Sequence, residues 1–160
     1  MSSAVSEAEL PDGVLLERYQ IEGGHVDCFV AAVPGIVSLS QFISAFYTSS
    51  VFRPERWLLG ALLGMPTNNE QIGRLAAGEL SRFSAWTVEE RRESEILLCD
   101  YQSKTRSWLM VQAIEGGTQL HFGSAVVPAR RSGARVIFRV LLGFHRWYSR
   151  ALLKGALAQL

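Results

Sequence analysis

Three features of the sequence predict an α+β fold in which a curved antiparallel sheet grips a long C-terminal helix, with short helices between the first strand and the rest of the sheet. From Arg82 to Val127, short segments rich in β-branched and aromatic residues alternate with turn-like breaks. Residues 134–157 place apolar and basic side chains on opposite arcs of one helix. Between a first strand near residue 25 and that meander lie three segments with helix-start signals.

A chain of 160 residues fits one domain, and at that size roughly 68–70% of the unfolded surface is buried without a disulfide or metal staple. A hydrophobic fraction of 48% with 19% charged residues is ordinary for a globular protein and far from a disordered composition. Cys28 and Cys99 belong to no CxxC pair, so they read as small hydrophobes rather than metal or redox ligands. The start MSSAVSEAELPDG lacks the basic and apolar regions of a secretory signal. The apolar run WLLGALLGM is about half the roughly 20 residues needed to span a bilayer as a helix. A cytoplasmic protein of bacterial type, with no transmembrane segment and no cofactor, is the expectation.

In chain order, residues 1–13 are expected to form a flexible leader ended by Pro11-Asp12-Gly13, and residues 14–160 a single domain. HVDCFVAAV reads as a strand over 25–33 that stops at Pro34-Gly35. In SLSQFISAFYT, Ser38 with Gln41 forms a capping box, and Leu39, Phe42, Ile43 and Phe46 make one stripe. FRPERWLLGALLG has Pro54 at a first-turn position and Gly64 as a stop. TNNEQIGRLAAGEL repeats the capping logic with Thr67 and Glu70. FSAWTV, SEILLCDY, TRSWLMVQAIE and TQLHFGSAVV are the meander strands, separated by EERR, QSK and Gly116-Gly117; EERRESE as a helical extension from Thr87 is the alternative.

With Gly116 and Gly117 as a two-residue loop, Val111 pairs with Phe122 and Gln112 with His121. One face then gathers Leu109, Val111, Ala113, Leu120, Phe122, Ser124 and Val126, which is the core face; Ile96, Leu98 and Asp100 extend it. Asp100 reads either as a polar group at the rim of the interior or as a turn aspartate bonding the following backbone, the latter favoured. The other face carries Arg106, Trp108, Met110, Gln112, Gln119 and His121.

On the terminal helix, Ile137, Leu141, Phe144, Tyr148 and Leu152 share one arc, while Arg135, Arg139, Arg146, Arg150 and Lys154 share the other. All fifteen acidic residues precede Gly116, and every charged residue after it is basic. A membrane-surface helix shows the same wheel, and phosphate binding would use the same arginines. Packing on the protein's own sheet is the favoured reading. The near-neutral chain carries no nucleic-acid-binding signature, so no nucleic-acid partner is expected. His145 lies at the border of the apolar arc with no helical Asp, Glu or His partner and reads as a structural histidine rather than a general base. No nucleophile elbow, Walker loop, GxGxxG or HExxH motif is present, so no catalytic or metal-ligating residue is assigned.

The element order and the segments RFSAWTVEER, EILLCDYQSKTRSWLMV, GTQLHFGSAVVP and LLGFHRWYSRALL resemble the START/SRPBCC superfamily, the helix-grip fold of birch-pollen-allergen-like proteins, and within it a bacterial domain-of-unknown-function branch. The resemblance covers roughly residues 24–155. It implies an apolar cavity between sheet and helix that in related families holds lipids, sterols, polyketides or plant hormones. Its helix wall would be Leu141, Phe144 and Tyr148, and its sheet wall Leu109, Val111, Phe122 and Ser124, with the Tyr148 and Ser124 hydroxyls orienting the ligand. Cyclase and aromatase relatives place catalytic polar groups there, for which this chain offers only Ser124, Tyr148 and Asp100. A third helical segment, where the usual grip has two, is expected to narrow the mouth with Phe46, Trp57 and Leu62.

Binding of a small apolar ligand is therefore the leading expectation. Self-association of a solid-core domain through the outer sheet face, where Trp108, Met110 and His121 would otherwise meet water, is the alternative. A cyclase-like enzyme is the third.

Overall fold

The computed structural model describes residues 4–49, 68–83, 86–100, 103–127 and 148–160. The expected helix at 52–64, the residues Leu141, Phe144 and His145, and most of the terminal helix lie outside these residues. The described strands are β1 (Ser6–Glu7), β2 (His25–Pro34), β3 (Arg82–Phe83), β4 (Trp86–Arg91), β5 (Glu95–Asp100), β6 (Thr105–Ile114) and β7 (Gly117–Val126). The described helices are α1 (Glu17–Ile21), α2 (Leu39–Thr48), α3 (Asn69–Ala76) and α4 (residues 148–157). The fold is α+β, built on one open, curved antiparallel sheet in the order β1-β2-β7-β6-β5-β4-β3. The first long strand thus lies beside the last one.

The hairpin β6–β7 turns at Glu115-Gly116 rather than at Gly116-Gly117: Ile114 pairs with Gly117, Leu109 with Phe122 and Val111 with Leu120. Gly116 takes the positive φ of +74°, which glycine adopts without strain. Gly117 is a glycine for another reason, since a Cβ there would sit 2.2 Å from the Val33 carbonyl oxygen on β2. The loop shift changes each pairing by two residues, an even number, so both faces keep the residues expected of them.

One face packs against helices. Its core joins Phe29, Ala31, Ile96, Leu98, Leu109, Leu120 and Phe122 of the sheet to Phe42, Ile43 and Phe46 of α2 and to Leu152, Leu153 and Ala156 of α4. The Phe46 and Phe122 rings lie 4.8 Å apart. Helix α2 begins with the capping box expected: Ser38 Oγ accepts from Gln41 N and Gln41 Oε1 from Ser38 N. Helix α3 starts one residue later than expected, capped by Asn68, whose Oδ1 accepts from Gln71 N. At its other end the Arg91 guanidinium of β4 donates to the Leu75 and Ala76 carbonyls at 2.8 and 2.7 Å, placing a cation where the helix dipole favours one.

The opposite face is not free. Residues 6–10, expected within a loose leader, and the first residues of the domain after it lie against the sheet: β1 pairs with β2, Ala8 N donates to Cys28 O, and Ala8, Leu10, Val14, Leu15, Leu16 and Tyr19 pack with Cys28, Val30, Leu97, Trp108 and Met110. Trp108 is 0% exposed, Met110 8% and His121 4%. The surface reserved for a second copy is therefore filled by the chain's own residues 8–19, which removes the observation that motivated a dimer through it. The apolar area of Trp108 and Met110 demands cover, and a leucine-rich segment of the same chain supplies it at lower entropic cost than a second molecule.

Polar contacts fix this strap. Glu95, buried on the outer face, accepts from Leu15 N at 2.9 Å and Trp108 Nε1 at 2.7 Å through one oxygen, and from Arg92 at 3.0 Å through the other. Tyr19 donates to Glu89 and accepts from Arg106 Nε at 2.8 Å, with the Arg106 guanidinium 4.7 Å from the Tyr19 ring centre. Burial, then the bond to the Glu89 carboxylate, raises the Tyr19 phenol above its ordinary range.

His121 on this face supplies a pH dependence. Its Nε2 lies 3.2 Å from Gln112 Oε1, while its buried Nδ1 has no hydrogen-bond partner. The neutral tautomer carrying hydrogen on Nε2 fits; a second proton on Nδ1 would meet no acceptor. Burial accordingly lowers the imidazole's pKa. In the unfolded chain His121 takes up a proton as pH falls through about 6.5, whereas the folded chain resists doing so. Stability is expected to fall as pH drops through that value, and His121→Gln to flatten this part of the profile in denaturant titrations between roughly pH 7 and pH 5. An unchanged slope in His121→Gln would assign the effect to another group.

Candidate functional site

Strand register organises the helix-facing side of the sheet into rows. Phe29, Phe122, Leu109 and Ile96 follow one another across β2, β7, β6 and β5, and Ala31, Leu120 and Val111 form the next row. Both rows are apolar. Two residues along in the other direction the row is Asp27, Ser124 and Ser107, beyond which come His25, Val126 and Thr105. The first of these rows continues to the buried Leu98 on β5, so polar side chains join the face at this end on β2, β7 and β6 while β5 stays apolar.

Asp27 is the unexpected member. It is 6% exposed, and its Oδ1 accepts from the Ser124 hydroxyl at 2.5 Å and the Ser124 backbone N–H at 3.2 Å. Its Oδ2 is buried without a hydrogen-bond partner, and Asp27 forms no ion pair among the described residues. Leaving a buried acceptor unsatisfied costs roughly 1–3 kcal/mol, more for a charged group. Next to it Cys28, on the outer face, has its thiol pushed up to about 12 by burial and then by the nearby Asp27 charge.

The helix side offers comparable chemistry. Ser149, Leu152, Leu153 and Ala156 are buried on α4 at the i, i+3, i+4, i+7 spacing of one helical stripe, and Tyr148 packs partly buried against the same core. Arg150 and Lys154 face outward, as the helical wheel requires. The Arg150 guanidinium lies 5.7 Å from the Phe29 ring centre, which sets α4 over β2. Ser149 Oγ, like Asp27 Oδ2, is buried without a hydrogen-bond partner among the described residues.

Of the residues expected to line a cavity, Leu109, Phe122 and Ser124 are buried on the helix-facing side, while Val111 and Tyr148 are partly buried against the same core. Leu141 and Phe144 lie outside the described residues. Ser124 gives its hydroxyl proton to Asp27, so the polar handle at this place is the carboxylate. Asp100 is engaged in its turn, its Oδ1 accepting from Lys104 N and Thr105 N at 2.8 and 3.2 Å. The missed residue had a readable signal: alternation in HVDCFVAAV places Asp27 on the same face as Phe29 and Ala31, a charge at an interior position.

Among the described residues no group of three or more His, Cys, Asp or Glu side chains is placed to hold a metal, and no helix is long and apolar enough to cross a membrane. No family model matches the chain, and searches of curated proteins and solved structures give no significant match.

Proposed function

We propose that this protein is an intracellular binding protein that holds a small, mainly apolar molecule between the helix-facing side of the sheet and the terminal helix. The observation that supports this most is the pairing of two apolar surfaces, one on β2, β7 and β6 and one on α4, that each include a buried polar atom with no partner among the described residues, Asp27 Oδ2 and Ser149 Oγ. Ligand sites are apolar surfaces carrying a few polar groups that orient the guest, and Asp27 and Ser149 are two such groups on facing walls.

The rival reading as a surface module loses support because its patch lies under the strap. An enzymatic reading finds little among the described residues, where the Ser124 hydroxyl donates to a carboxylate and Asp100 serves its turn. Native mass spectrometry of the protein as purified is expected to show a small-molecule mass excess that disappears on denaturation, or stoichiometric uptake of added decanol. Bare protein that takes up no decanol would contradict the proposal.

A further inference from the structure

If the ligand reading above holds, on which this inference rests, the polar end of the face specifies the ligand's head group. We infer that the ligand carries a protonated amine with N–H donors, which pairs with Asp27 Oδ2 while the rest of the molecule lies along Phe29, Phe122, Leu109 and the α4 stripe.

Asp27 is more than nine-tenths buried, and the two donors it receives both come from Ser124 and both go to Oδ1. Among the described residues the other oxygen has no hydrogen-bond donor. Arg150, the basic residue set over the neighbouring Phe29 ring, makes no ion pair with Asp27. A second polar atom without a partner among the described residues, the buried His25 Nε2, belongs to the residue two positions along the same face. A buried carboxylate is stabilised most by a group that supplies both a hydrogen bond and an opposite charge. A hydroxyl head supplies only the first. A quaternary ammonium supplies only the second, and a carboxylate head adds a like charge.

The test uses the full chain and four probes with the same tail: decylamine, decanol, decanoate and decyltrimethylammonium, titrated by calorimetry below their micelle concentrations. The expected order is decylamine about tenfold or more tighter than decanol and decyltrimethylammonium, with decanoate weakest, since a hydrogen bond to a charged group is worth at least a factor of this size. Asp27→Asn is expected to abolish the amine's advantage over decanol. Equal affinities, preference for decanoate, or an amine preference that survives in Asp27→Asn would overturn the head-group assignment and leave apolar binding standing. Failure of all four probes to bind would overturn both. The comparison among probes on the unmodified chain decides the matter even if Asp27→Asn does not fold.

Discussion

Replacement of Glu95 by alanine is expected to destabilise the fold by about 3 kcal/mol or more. Its carboxylate is the meeting point of three donors from different parts of the chain: Leu15 N from the strap, Trp108 Nε1 from β6 and Arg92 from the turn before β5. Truncation strands the Leu15 N–H and the indole N–H in a buried site, and each unmatched donor costs roughly 1–3 kcal/mol. It also removes the partner of a half-exposed guanidinium, a small loss by comparison because solvent screens it. Glu95→Gln keeps an acceptor for the indole and is expected to cost about half as much. Urea titration followed by tryptophan fluorescence measures both; a loss under about 1 kcal/mol for Glu95→Ala would show that the strap is held by apolar contact alone.

Gly123→Ala is expected to cost about 2–3 kcal/mol, against the usual direction for a strand glycine, where alanine gains roughly 0.5–1 kcal/mol. A methyl group at this position would lie 2.7 Å from Leu16 Cδ2, 2.8 Å from Trp108 Cε3 and 2.9 Å from the Asp27 carbonyl oxygen. The leucine tip can move, but the indole and the β2 backbone are fixed by their own packing and pairing. Gly123 is thus the shallow point of the outer face into which Leu16 and Trp108 settle. Leu16→Ala in the same chain would relieve one of the three contacts, so rescue is expected to be partial, and the two substitutions non-additive because they share a contact. A stabilised Gly123→Ala protein would mean that the strap does not seat there.

How much of this could be read from residue order varied by element, for physical reasons. The faces of β6 and β7 follow from alternation, which survives a two-residue error in the loop; the loop itself turns on whether Gly116 or Gly117 needs a positive φ, and only the neighbouring Val33 carbonyl decides that. Capping identifies α2 because Ser38 and Gln41 satisfy each other locally, whereas at α3 Thr67 and Asn68 are both competent caps and the choice between them is tertiary. The strap escaped because α1 is only five residues long and Leu10, Val14, Leu15 and Leu16 have no strong period; the clue lay in Trp108 and Met110, too large and apolar to leave in water. Asp27 was visible as a charge in an interior register, but its meaning depends on Ser124, which lies 97 residues away in sequence and is brought opposite by β2–β7 pairing.

The most direct test of the account is a titration of methyl-labelled protein with decanol, observed by NMR. Binding between sheet and terminal helix predicts saturable shifts at Leu109 and Leu120 on one wall and Leu152 and Leu153 on the other, all with one midpoint and one ligand per chain. Shifts confined to the exposed Ile21, Ile36 and Ile114, or none at all, would contradict it.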